Sequence, residues 1–217
     1  MTDIAIVDYG MGNLRSVSKA LEHVAPGAFV VVTDNPEVVR KASRVVVPGQ
    51  GAMPDCLREL DARGLRDAVL DAANRKPFLG ICIGLQMLFE SSEEGDVKGL
   101  GIVPGKVRRF PSTAMVNTSG QRLKVPHMGW NQVHQAIAHP LWLGIPDDAR
   151  FYFVHSFYVE TAKPEPVAAF SHYPFPFTCA VANDNIFAVQ FHPEKSHEAG
   201  LTLLRNFVEW DPVFPNA

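Results

Sequence analysis

The stretch Phe78-Leu79-Gly80-Ile81-Cys82-Ile83-Gly84-Leu85-Gln86-Met87-Leu88-Phe89 decides how the rest of the chain is read. An apolar run ends at Cys82, and a helical pattern of Leu85, Met87, Leu88 and Phe89 begins directly after it. A strand-to-helix reversal this tight forces its central residue into a strained backbone conformation. Glycines two positions away on each side, Gly80 and Gly84, remove the side chains that would clash. The stretch reads as a nucleophile elbow with cysteine at its apex. The sulfur then sits at a helix amino terminus, where unpaired N–H groups and the helix dipole favour thiolate over thiol. The plainer alternative is a buried structural cysteine beside two packing glycines.

Upstream of the elbow, short β-branched runs alternate with helical patterns, as in parallel strands joined by crossover helices. Ile4 to Val7, Phe29 to Val32, Val45 to Val47 and Phe78 to Ile81 are apolar at every position, as strands covered on both faces are. Leu14, Val17, Leu21 and Val24 form one helical stripe that Pro26-Gly27 stops. Leu57, Leu60, Leu65, Ala68, Val69 and Ala72 predict a helical region broken near Gly64. Downstream of about residue 95 the texture favours antiparallel strands at 107–110, 151–154, 167–170 and 178–182. Asn183-Asp184-Asn185 is the turn of a hairpin between 179–182 and 186–189. A last helix begins near Ser196, with Leu201, Leu204 and Phe207 or Val208 facing inward. The expected fold class is α/β: an open, mainly parallel twisted sheet flanked by helices, with an additional antiparallel region. Residues 1–217 show no linker or repeat and read as a single domain.

Composition agrees. The chain has 47% hydrophobic and 20% charged residues and a formal charge of −3, which excludes disorder and argues against a nucleic-acid surface. Cys56, Cys82 and Cys179 are too few for a disulfide framework, no C-x-x-C pair points to zinc, and no metal or cofactor is expected. Cysteine usage fits a reducing cytoplasm, Met1 to Gly10 lacks the basic lead of a secretion signal, and no stretch is long and apolar enough for a bilayer.

A cysteine nucleophile needs a base, and eight histidines are available. His192, in Val189-Gln190-Phe191-His192-Pro193-Glu194, directly follows an apolar strand. In an extended segment Glu194 would share its face and hold one ring nitrogen. His127, His155 and His172 lie beside strand-like segments without such a carboxylate and read as structural histidines. Donors for a developing oxyanion are expected from the backbone N–H of Ile83 and from the glycine turn Val47-Pro48-Gly49-Gln50-Gly51. Both would lie at the carboxyl edge of a parallel sheet, where α/β folds place ligands.

These residues resemble the class I (triad) glutamine amidotransferases. The resemblance rests on the elbow and on Asp8-Tyr9-Gly10-Met11-Gly12-Asn13, Pro48-Gly49-Gln50-Gly51-Ala52, Pro126-His127-Met128-Gly129-Trp130-Asn131, Tyr152-Phe153-Val154-His155-Ser156 and Phe191-His192-Pro193-Glu194-Lys195-Ser196. It implies a flavodoxin-like fold and hydrolysis of glutamine to glutamate and ammonia, with Cys82 attacking, His192 moving the proton and Glu194 holding His192. It also implies that Gln86 and Glu94 bind the substrate; a solvated charged loop is the alternative for Glu94. The more specific motifs are similar to those of glutaminase subunits that pair, as a heterodimer, with a (β/α)₈ cyclase (HisF-like) in histidine biosynthesis. That pairing implies an interface at Met11, Gly12, Asn13, Trp130 and Lys195; for Asn13 a helix cap, and for Trp130 a core position, are the alternatives.

Many amidotransferases read Pro-Gly-Gly where Gln50 separates Gly49 from Gly51. The second oxyanion donor is therefore expected to be misplaced until the peptide around Gly49 and Gln50 rotates, leaving the lone subunit nearly idle. A cysteine α/β-hydrolase would place its acid before its histidine, a glutaminase of another synthase would share the triad, and a silent scaffold would not need Cys82, His192 and Glu194 together.

Overall fold

The computed structural model describes residues 3–111, 115–116 and 120–212. In chain order the first half runs β1 (Ile4–Val7), α1 (Leu14–Val24), β2 (Val30–Thr33), α2 (Pro36–Lys41), β3 (Arg44–Gly49), α3 (Met53–Ala62), α4 (Arg66–Arg75), β4 (Phe78–Cys82) and α5 (Ile83–Gln86). The second half runs β5 (Phe89–Ser92), β6 (Val97–Lys98), β7 (Val103–Arg109), β8 (His127–Gln135), β9 (Ala149–His155), β10 (Phe157–Thr161), β11 (Val167–His172), β12 (Pro176–Asn183), β13 (Ile186–Val189) and α6 (His197–Glu209).

The strands join in the order β2-β1-β3-β4-β13-β12-β10-β7-β5-β6, with β11 paired to β12 and β8, and β9 to β8. From β2 to β13 every pairing is parallel. Beyond β13 the sheet continues mainly antiparallel, starting with the β12–β13 hairpin whose turn lies between Asn183 and Ile186. In β1, β4 and β13 every residue is buried, so both faces of the parallel part are covered. Two registers position the site: Ile81 pairs with Val189 across β4–β13, and Gly49 with Cys82 across β3–β4.

Several expectations need correction. β2 is not covered on both faces: it is the edge strand, Val32 is exposed, and Phe29 before it is 60% exposed. The helical pattern after the elbow yields only the four residues of α5, and Phe89 opens β5 instead. The stripe of α6 runs through Gly200, Leu203, Leu204 and Phe207, with Leu201 and Val208 only partly buried. β5, β6, β8 and β10 were not expected. β8 alternates irregularly because much of it is open to solvent, so its apolar periodicity is weak. The helical break at Gly64 and the stop after Val24 stand as read.

The glycines of the elbow are required by packing. A Cβ on Gly84 would lie 1.8 Å from the Val47 carbonyl oxygen, and one on Gly80 2.8 Å from the Gly84 oxygen. Gly84→Ala should therefore lower unfolding stability by about 3 kcal/mol or more, because backbone rather than a movable side chain must give way. Urea denaturation measures this; a loss below about 0.5 kcal/mol, the usual range for a neutral surface change, would contradict the packing account.

Candidate functional site

Cys82 ends β4 with φ 56° and ψ −107°, in the left-handed half of backbone space. For a non-glycine residue this costs about 1–3 kcal/mol and persists only where surrounding packing dictates it. The strain at the apex is as expected. The helix dipole is not: α5 is a single turn, too short to sum many peptide dipoles, so the local N–H groups after Cys82 supply the polarity.

His192 lies three residues past β13, and its backbone N–H donates to the Tyr152 carbonyl at 2.9 Å. It caps a 3₁₀ turn at Pro193–Lys195, and this turn, not an extended segment, swings Glu194 back so that Oε1 lies 2.8 Å from His192 Nδ1. Both side chains are buried, at 2% and 1% exposure. Burial alone would lower the affinity of His192 for a proton. The Cys82 sulfur and the Glu194 carboxylate outweigh it and raise its pKa to about 10. Its Nε2 has no hydrogen-bond partner among the described residues and remains free to exchange a proton with a group beside the sulfur.

Cys82 and His192 open onto one cavity of about 420 Å³, also lined by Gln50, Gly51, Ile83, Gln86, Glu94 and Lys195. That volume suits an amino acid. The expected donor segments meet here: Ile83 follows Cys82, and Gly49 is its partner across the sheet. The Gly49 backbone is tightly held, since a Cβ there would lie 2.4 Å from the Tyr9 hydroxyl. That hydroxyl donates to the Pro48 carbonyl at 2.6 Å, and the Cys56 thiol to the Gln50 carbonyl at 3.4 Å.

Gln86 is buried, and its Nε2 donates to the Phe157 carbonyl at 3.3 Å and to Gln190 Oε1 at 3.0 Å. Its own Oε1 has no partner among the described residues. Glu94 is not a solvated loop residue. Its carboxylate accepts from the Met53 N–H, at the start of α3, at 2.7 Å, and burial raises its pKa. The cavity lining thus includes Gln86, whose amide oxygen has no partner among the described residues, and the half-buried carboxylate of Glu94, acceptors suited to an ammonium group.

Of the expected interface residues, Lys195 lines the cavity, and Met11 and Gly12 lie against the segment Gly49 to Gly51. A Cβ on Gly51 would lie 2.9 Å from Met11 Cε, and one on Gly12 3.8 Å from the Gly49 Cα, so the loop at 11–13 rests on the candidate oxyanion segment. Asn13 makes no side-chain cap bond to α1. Trp130 is 40% exposed and stacks on His197 with centroids 4.9 Å apart, and Lys195 Nζ lies 6.0 Å from the Tyr152 ring centre. The core alternative does not describe Trp130, whereas Asn13 does occupy the N-cap position of α1, through its carbonyl, which accepts from the Ser16 and Val17 N–H groups, rather than through its side chain.

Two features escaped the sequence reading. Gln190, a buried polar residue inside an apolar run, places Nε2 3.7 Å from the Cys82 sulfur; that interruption was the available signal. His127 and His155 form a buried pair, with Nδ1 of the first 2.9 Å from Nε2 of the second. His155 Nδ1 lies 2.7 Å from the Phe157 carbonyl, which can only accept, so the proton sits there and Nε2 accepts from His127. Both rings are therefore neutral, and burial lowers their pKa values to about 4 for His127 and about 3 for His155. His172 is exposed, and its carbonyl accepts from Asn131 Nδ2 at 2.9 Å.

Comparison with known proteins agrees with this geometry. Residues 5–210 match the family model of class-I glutamine amidotransferases. The chain is similar to proteins described as imidazole glycerol phosphate synthase subunit HisH. It is 76% identical to that of Nitrosospira multiformis over 98% of this chain and 100% of the relative. It is 69% identical to that of Thiobacillus denitrificans over 97% and 92%. The solved structure of PurLQS from Thermotoga maritima superposes with a TM-score of 0.68 at 20% identity, covering 96% of this chain and 99% of that one.

The histidine pair makes acid stability testable. The folded pKa values lie below the unfolded value near 6.5, so the contribution of this pair to stability is complete above that pH and is lost as pH drops through 6.5 toward 4 and 3. Denaturation midpoints across that window should decline less in His127→Gln than in the unsubstituted chain; equal declines would contradict the neutral assignment.

Proposed function

The chain belongs to the class-I glutamine amidotransferase family, and from that premise we propose how its site works as one domain over residues 1–217. It is the glutaminase subunit of imidazole glycerol phosphate synthase, in histidine biosynthesis. The Cys82 thiolate attacks the side-chain amide of glutamine, and His192, protonated through its contact with Glu194, gives its proton to the departing ammonia. Water then enters, His192 takes one of its protons, and hydrolysis of the thioester releases glutamate. The Ile83 N–H and the segment Gly49 to Gly51 serve the oxyanion, while Gln86 and Glu94 hold the amino-acid end. The observation that supports this reading most is the buried His192–Glu194 pair beside a strained cysteine on the wall of a cavity of amino-acid size.

Free ammonia is protonated in bulk water, so it must pass directly to the cyclase; the exposed Trp130, the half-buried Lys195 on the cavity wall and the loop at 11–13 against Gly49 to Gly51 are the face assigned to a (β/α)₈ partner. Tyr9 and Cys56 hold the carbonyls on either side of the Gly49–Gln50 peptide, which confines rearrangement to that peptide. Glutamine turnover should rise by orders of magnitude when the cyclase and its ribonucleotide are added; equal turnover with and without them would contradict activation by the partner.

Cys82→Ala should abolish glutamine-dependent synthesis by the complex and leave ammonia-dependent synthesis intact, measured in parallel assays. Full glutamine-dependent synthesis by that variant would favour a scaffold role. In the complex, glutaminase activity should fall as pH rises through about 10, where His192 loses its proton. In Glu194→Gln that limit should move toward neutral pH, because the carboxylate holding the imidazolium is gone; an unmoved limit would sever Glu194 from His192.

A further inference from the structure

We propose that Gln190 is a further catalytic residue, whose side-chain N–H stabilises Cys82 as a thiolate in an orientation dictated by the Phe157 carbonyl. This rests on the reading of Cys82 as the nucleophile. Gln190 is fully buried one residue past β13, and its Nε2 lies 3.7 Å from the Cys82 sulfur, within hydrogen-bond range for sulfur. A side-chain amide has a donor end and an acceptor end, and only the donor end favours an anionic sulfur.

The neighbouring bonds select that end. The Phe157 carbonyl can only accept, and it accepts hydrogen bonds from His155 Nδ1 at 2.7 Å and Gln86 Nε2 at 3.3 Å. Gln86 must therefore turn its amino group this way, and the second hydrogen of the same nitrogen reaches Gln190 Oε1 at 3.0 Å. With its oxygen engaged, Gln190 has its amino group left for the sulfur. Reversing Gln190 would set two donors against each other and an oxygen against the sulfur. The His155 end is fixed in turn by His127, whose Nε2 lies 3.4 Å from Asn131 Nδ2 on β8.

A thiol is a weak acceptor and a thiolate a strong, charged one, so this buried amide is best satisfied when Cys82 is ionised. The titratable groups facing the sulfur work with it. His192, backed by Glu194, is the cation; Tyr9, after β1, and Cys56, on α3, are kept neutral by burial. Glu94 and Lys195 line the same cavity.

Alkylation by iodoacetamide tests this on the full chain, followed at the Cys82-containing peptide by mass spectrometry across pH. In Gln190→Met, reactivity at neutral pH should fall about tenfold and the profile should move to higher pH. Gln190→Glu keeps the size and the acceptor for Gln86 but turns an oxygen to the sulfur, and should fall further. Thermal unfolding confirms that each variant is folded, and Gln190→Glu decides the matter if Gln190→Met does not fold. An unshifted profile in a folded variant overturns the proposal. Alkylation requires neither glutamine nor the cyclase, so absence of glutaminase activity in the complex with the cyclase and its ribonucleotide would overturn the functional reading while the profile still decides this one.

Discussion

Parallel hydrogen bonding between β4 and β13, with Ile81 opposite Val189, is the constraint on which the site depends. It brings together two segments remote in sequence and delivers the strained cysteine and the base to the same carboxyl edge. On the other side of β4, pairing to β3 sets Gly49 against Cys82 and so brings the candidate oxyanion segment alongside. The strain at Cys82 is sustained by these pairings and by glycines that admit no Cβ. A slip of one residue between β4 and β13 would turn every side chain on the slipped strand to the opposite face.

Electrostatics then divides the histidines. His192 and His155 interact across the same cavity, yet one retains its proton to about pH 10 and the other refuses it down to about 3. Burial opposes charge on both. Glu194 and the sulfur compensate His192, whereas His155 faces a carbonyl, a neutral ring and the charged His192, which disfavours a second cation. A buried carboxylate such as Glu194 is tolerable only with its partner; removing either would leave an unpaired buried charge.

The parallel half was legible because its strands are apolar at every position and its helices carry stripes and stops, as with Leu14 to Val24. The elbow was legible because the backbone demand at Cys82 dictates glycine at 80 and 84. β8 and β10 were harder to read: each has one side partly in solvent, so neither continuous hydrophobicity nor clean alternation marks them. The pairing of His192 with Glu194 was read correctly from the wrong local geometry, since a 3₁₀ turn can bring residues two apart together as an extended segment can. Gln190 and the His127–His155 pair act through partners far along the chain; the polar interruption of an apolar run marks Gln190 as unusual, but local pattern does not identify partners brought close by tertiary folding.

The central claim is that Cys82 and His192 form a coupled pair, and a nitrogen NMR titration of the His192 ring tests it most directly. In the unsubstituted chain the ring should keep its proton to about pH 10. In Cys82→Ala it should release the proton at distinctly lower pH, because the sulfur is one of the two groups that hold it. A titration unchanged by the loss of the sulfur would contradict the account.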